Sequence, residues 1–461
     1  MKKYSVKLST GSLLRSFGAT ARNLRFDVWL ASRSCRAAKV GLATLALAAC
    51  DAKKEPITGT RIAVVDYESS VKVDEEAKAI AVVLPACEKG RDWSQVGCGS
   101  EHAMPHIFLN ETIQPAWTCS IGSGVGDGRF LSSPVVACGT LYALDTYGLV
   151  TAVNASTGAV LWRTSISPVD KEQSIIGGGV ACDNGKIFVT SPHAEVLALD
   201  AKSGAILWRV PNTSPVRAAP TVADGRLYIL NISNQLDVLD VECGKTLWNH
   251  AGITEFAGLL GTASPAVSNG VVVVTYSSGE IFALKAENGH QLWTETLSST
   301  RRPDSLSSLS HIRALPVVDK NSVIIVGHNQ KMASYDLIRG ERKWERHIGG
   351  TRTPAVVGDY IFMINTHNEL VCLNRDYGQV VWVRKLGNDP ENLTKGMWNG
   401  PLVAGGKLYL VSTTGHLLGL DPCSGKTLNE RSLDAPVSIC PFAAQETLYI
   451  LTDNGDVITF R

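Results

Sequence analysis

A phrase made of a small-residue turn, a glycine, a short apolar run and a tryptophan returns through this chain at near-regular intervals. Its first copy reads Ala155-Ser156-Thr157-Gly158-Ala159-Val160-Leu161-Trp162. It recurs with Gly204 and Trp208, Gly244 and Trp248, Gly289 and Trp293, Gly340 and Trp344, and Gly378 and Trp382. A seventh copy, at Gly425, ends on Asn429 where the others have tryptophan. Successive copies lie 38 to 51 residues apart, about 44 on average. Self-similarity of that period predicts four-stranded units arranged as propeller blades, which overrides any domain count drawn from length.

The first unit shows why. Pro134-Val135-Val136-Ala137, Leu141-Tyr142-Ala143-Leu144, Leu149-Val150-Thr151-Ala152-Val153 and Val160-Leu161-Trp162 are four short β-prone runs, separated by turns at Gly139, Gly148 and Gly158. Tryptophan on the fourth strand supplies buried area. An indole covering ~150–250 Å² contributes about 4–6 kcal/mol as an upper bound, and wedging against the neighbouring blade would use it. The chain ends with three such runs and lacks a fourth, whereas Ile113-Gln114-Pro115-Ala116-Trp117-Thr118 near the start has a fourth-strand ending without a unit of its own. Joining the two removes two open edges. The expected fold is therefore all-β: an eight-bladed β-propeller of four-stranded antiparallel blades, over residues 111–461, closed by an N-terminal strand.

Composition excludes little else. Forty-four Lys+Arg balance 43 Asp+Glu, so no global field draws nucleic acid, and none is expected as a partner. The ring itself is expected to be monomeric. Eleven cysteines are scattered with no Cys-x-x-Cys pair, which supports neither a zinc site nor a thioredoxin-like site. Two readings of Cys87 and Cys98 stand side by side: a disulfide flanking the charged loop with Gly90 and Gly97, or buried apolar thiols.

Residues 1–40 are basic, with Asp27 the one acid, and residues 40–49 form an apolar run too short to span a bilayer. The run ends Leu47-Ala48-Ala49-Cys50, the pattern of a lipoprotein signal peptide over residues 1–49 with Cys50 acylated. The stretch from Val28 already reads as a complete signal, which leaves an overextended start as the alternative. Several acyl chains at about 0.8 kcal/mol per buried CH₂ make a stable anchor. Residues 50–110 are polar and aperiodic and read as a lipidated N-terminus and tether, with Trp93 expected to pack on the ring. Asp51 directly after the acylated cysteine favours retention in the inner membrane in some lineages.

The repeats follow Ala-(Leu/Val)-(Asp/Asn)-x-x-(Ser/Thr)-Gly-x-x-x-Trp, as in residues 152–162 and 198–208. That pattern resembles the PQQ-type propeller repeat. Together with the lipobox and eight blades it resembles the BamB family of outer-membrane protein assembly lipoproteins. The opening Lys53-Lys54-Glu55-Pro56 and Gly59-Thr60-Arg61-Ile62-Ala63-Val64 points to the alphaproteobacterial branch. The resemblance implies a scaffold with no catalytic activity, cofactor or metal, on the periplasmic face of the outer membrane. It implies contact with BamA POTRA domains, other Bam subunits and nascent outer-membrane proteins. By blade position it carries the partner contacts to the loops at 256–261 and 310–313, with Leu259 and Leu260 as apolar anchor or as inward packing, and His311 and Arg313 beside them. The family pattern has an Arg by the leucines and acids in the second loop; Leu260, His311 and Arg313 alter that charge sense.

Two alternatives accompany this reading. One is a PQQ- and Ca²⁺-dependent quinoprotein dehydrogenase, whose adjacent-cysteine ring and calcium cage have no match here; His193, Asp240 and Glu280 read more easily as surface or turn residues. The other is a periplasmic binding platform anchored in the inner membrane, which Asp51 would favour.

Overall fold

A computed structural model describes residues 71–126, 131–167, 177–255, 261–297, 311–328, 330–387 and 396–461. These form eight four-stranded antiparallel sheets. Seven are sequence-continuous, at 135–165, 179–211, 221–251, 266–296, 317–346, 355–385 and 398–432 (blades one to seven). The eighth is composite, in the order Pro115–Ser120, Asp456–Phe460, Thr447–Leu451, Phe442–Ala444. The N-terminal strand pairs antiparallel with the last one, Thr118 opposite Ile458 and Ser120 opposite Asp456, so the ring closes as expected.

Burial sets the direction of each blade. First strands such as Val135–Ala137 are wholly buried, while fourth strands such as Val160–Ser165 alternate exposed and half-buried residues. The first strand therefore lies toward the ring axis and the fourth on the rim. In each continuous blade the register of the fourth strand steps by one residue: Ala152 faces Trp162, but Val153 faces Val160. This bulge leaves Val160 and Leu161 both facing solvent and re-aims Trp162 sideways at the next blade.

There each indole meets the repeat phrase again. Trp162 donates its Nε1–H to the Ala201 carbonyl at 3.0 Å, and the same bond recurs from Trp117 to Ala155, Trp208 to Val241, Trp248 to Ala286, Trp293 to Leu337, Trp344 to Arg375 and Trp382 to Pro422. The receiving turn is shaped by its Asp or Asn: Asp200 Oδ1 accepts from Lys202 N, Ser203 N and Ser203 Oγ. Gly204 completes that turn at φ +71°, and a Cβ there would stand 2.5 Å from the Trp162 ring.

Residues 71–113 run along the ring rather than away from it. Asp74 exchanges bonds with Val380 through N–H to O at 3.0 Å and Oδ2 from N–H at 2.7 Å. Farther on, the segment crosses the first strands of five successive blades in turn. Trp93 bonds Val136, Ser94 O accepts from Cys182, Gln95 pairs both ways with Val222, Ser100 O accepts from Val267 and Glu101 O from Val318. These bonds cover polar backbone that the innermost strands would otherwise turn toward the axis. Trp93 is buried against Phe442, ring centroids 5.6 Å apart, so it does pack on the ring.

The nine described cysteines are all free thiols, and the Cys87–Cys98 disulfide does not form. Cys87 is exposed; Cys98 is buried, donates to the Asp92 carbonyl at 3.5 Å and is pushed up to about 11 by burial. The buried-thiol reading holds for Cys98 alone of the two.

Candidate binding surface and central cavity

Of the residues selected from the sequence, Cys50, Leu259 and Leu260 lie outside the described residues. His311 and Arg313 are described, and both meet Gly261, the residue that follows the paired leucines. The Arg313 Nε lies 3.2 Å from where a Gly261 Cβ would stand, and the His311 ring is hydrogen-bonded to the Gly261 backbone. The two loops chosen by blade position are thus brought together at Gly261. His311 itself is buried, at 3% exposure, so it presents little area at the surface. Burial, followed by the charge of Arg313, lowers its pKa to about 4. The ring is neutral at neutral pH.

Arg313 also has a position that the blade comparison did not reveal. It lines the space on the ring axis, where two adjoining cavities of about 260 and 210 Å³ share Val96, Leu131, Ser133, Arg313 and Leu315. All eight blades reach this space through the residues at or just before their first strands: Ser133, Gly178, Ala219, Ser264, Leu315, Thr353, Pro401 and Pro441. The segment crossing the ring adds Trp93, Val96, Gly97 and Met104, so it forms part of the cavity wall.

Arg217 and Arg352 join Arg313 there. Burial and the nearby Arg352 both push the Arg313 guanidinium below its ordinary pKa. The signal for these arginines was present in the sequence as Arg217-Ala218-Ala219-Pro220, Arg313-Ala314-Leu315-Pro316 and Arg352-Thr353-Pro354, each opening a blade. Arg313 was reached from it by blade position; Arg217 and Arg352 were not, because the tryptophan phrase that defines the period lies at the far end of each repeat.

One carboxylate lines the described cavity, that of Asp453, and both its oxygens are held by Ser438, at 2.9 Å from the backbone N–H and 2.8 Å from Oγ. Among the described residues no three His, Cys, Asp or Glu side chains gather to hold a metal ion. These residues do not fit the calcium cage of a quinoprotein dehydrogenase. Asp240 is spent on a rim turn, accepting from Glu242 N and Cys243 N, and Glu280 accepts from Ile253 N and Ser278 Oγ.

Comparison with known proteins places this geometry. A family model described as outer membrane protein assembly factor BamB matches residues 109–173, 146–384 and 378–461, nearly all of the ring. The chain belongs to the BamB family. The family member of Yersinia pestis is 26% identical over 363 residues, covering 77% of this chain and 91% of that protein. Among solved structures, BamB from Moraxella catarrhalis superposes with TM-score 0.65 at 18% identity, covering 76% of this chain and all of that one. Quinohemoprotein alcohol dehydrogenase from Comamonas testosteroni gives 0.62 at 12% identity over 81% of each chain, a likeness of fold alone.

Proposed function

We propose that this chain is a non-catalytic, lipid-anchored accessory subunit of the outer-membrane barrel-assembly machine. In this reading Cys50 carries the acyl anchor and holds the ring at the periplasmic face of the outer membrane. The loop bearing Leu259 and Leu260, backed by His311 and Arg313, contacts the POTRA domains of BamA, and other Bam subunits and nascent barrel proteins gather around the ring. The observation that carries the proposal is membership of the BamB family across the whole ring. The meeting of both candidate loops at Gly261 supports the surface.

The test is a pull-down from detergent-solubilised envelope with wild type, Leu259→Asp and Arg313→Glu. Wild type should recover an outer-membrane barrel insertase, and both substitutions should weaken recovery. Recovery of no insertase would overturn the assembly role; equal recovery by all three would overturn the loop assignment. Fractionation covers the second reading, an inner-membrane platform, since protein found solely with inner membrane supports that platform. Adding PQQ and Ca²⁺ covers the enzyme, for which a saturable absorbance change would count.

A further inference from the structure

The axial cavity carries a charge pattern that scaffolding does not require. Arg217 and Arg352 line it beside Arg313, and the one carboxylate among its described lining residues, that of Asp453, is already held by Ser438. Among the described residues no carboxylate pairs with Arg217 or Arg352. Cations inside a walled space lose part of their hydration and repel one another, and an anion placed among them relieves both costs. Beside the hydroxyls of Ser133 and Thr353, the larger chamber presents an apolar face made of Trp93, Leu131, Leu315, Ile439 and Phe442. Gly261, at φ +98°, lets the Arg313 side chain lie within 3.2 Å of where a Cβ would stand, which brings that arginine in from the blade start.

We propose that the axial cavity binds a small amphipathic organic anion, its carboxylate held by Arg352 with Arg217 in the adjoining chamber, and its apolar body packed on Leu131, Leu315, Ile439 and Phe442. A planar carboxylate suits a guanidinium better than a point cation, because the fork donates two parallel hydrogen bonds. At about 260 Å³ the larger chamber falls just under the ~300–1,000 Å³ of sites for drug-sized ligands, so the occupant is smaller than those. An acyl chain and an aromatic acid both meet that description. The proposal is independent of the assembly role, since it concerns the axis rather than the rim or the membrane anchor.

The experiment is isothermal titration of the purified protein with octanoate, benzoate, inorganic phosphate and 1-octanol. Octanoate or benzoate should bind saturably, one per chain, at least about tenfold tighter than phosphate or octanol, because head and body both contribute. Preference between the two acids separates an acyl-chain ligand from an aromatic one. Arg352→Gln should weaken binding about tenfold, the loss of one charge-assisted contact. Ile439→Trp, which fills the chamber and leaves every charge in place, should abolish it. Unfolding midpoints of both variants establish that the ring is intact; if Arg352→Gln fails to fold, Arg217→Gln reads the charged head instead, and if Ile439→Trp fails to fold, the octanoate-to-phosphate ratio reads the apolar wall. No saturable binding of either acid, or binding that neither substitution changes, would overturn the proposal. Phosphate binding as tightly as octanoate would also overturn it, because the apolar wall would then play no part.

Discussion

Trp162 of one blade packs on Gly204 of the next and donates its indole N–H to the Ala201 carbonyl beside it at 3.0 Å. The two ends of the repeated phrase therefore meet across a blade boundary. A side chain at Gly204 would have to displace the ring at 2.5 Å and Thr164 Oγ1 at 2.6 Å while holding φ +71°. Gly204→Ala should lower stability by about 2–4 kcal/mol, combining the left-handed penalty with overpacking. Gly139, at φ +76° with nothing within 4 Å of its added Cβ, isolates the backbone part. Gly139→Ala should cost only about 1–2 kcal/mol. Urea denaturation of the two variants measures the difference, and equal losses would mean that the indole contact is not a tight one.

The seventh copy of the phrase lacks its tryptophan for a reason visible in the ring. The blade after Asn429 is the composite one, whose last two strands come from opposite ends of the chain and are not joined by a hairpin turn. No glycine turn waits there for an indole. Arg431 takes over, its guanidinium 4.9 Å from the Phe460 ring and bonded to the Ile113 carbonyl at 3.4 Å. Asn429→Trp should accordingly not raise the unfolding midpoint. Arg431→Ala should speed amide exchange in Pro115–Ser120 and Asp456–Phe460 ahead of the other blades. Uniform protection across all eight blades would refute the idea that the ring is loosest at this boundary.

Arg375 fastens blade five to blade six. Its guanidinium donates to Asp319 at 2.7 Å, the Gly358 carbonyl at 2.7 Å, Asp359 at 3.2 Å and Asp376 at 3.0 Å, with the side chain only 6% exposed. Arg375→Met should cost about 2–3 kcal/mol, below the usual figure for breaking a buried pair, because Asp359 and Asp376 face water and rehydrate. Chemical denaturation checks the size, and a neutral effect would mean that the acids already carry their own hydration.

Acid should loosen the ring through its buried histidines. His102, bonded through Nδ1 to the Pro316 carbonyl at 2.9 Å, and His311 are both held near pKa 4 chiefly by burial, below the ordinary 6.5. Between these values the unfolded chain binds more protons than the folded one. Their contribution is full above pH 6.5 and is lost as pH falls toward 4, by at most about 3 kcal/mol each. Urea midpoints at pH 7.5 and pH 5 should fall accordingly, and His102→Gln should flatten the drop. An unchanged pH slope in that variant would assign the acid sensitivity elsewhere.

Much of this was legible along the chain because a repeat exposes its own periodicity. The period, the glycine turns and the orphan strand ending at Trp117 determined the blade count and the closure before any contact was known. The partner loops were placed only by family position. The structure brings them together at Gly261, with Leu259 and Leu260 outside what it describes. For Cys87 and Cys98 both readings stayed open, because sequence proximity says nothing about which thiol the fold buries; the structure leaves both free and buries Cys98 alone.

By itself the sequence determined the architecture, since strand alternation, turn residues and buried tryptophans are local signals repeated often enough to be unambiguous. Only the tertiary structure decided what the axis is made of. Arg217, Arg313 and Arg352 lie far apart in the chain, each an ordinary residue at the start of its own blade. Closing the ring turns those starts inward to one point, and the segment from Trp93 to Met104 walls it. Side chains that would be solvated singly on separate strands line two adjoining chambers because eight blades share an axis.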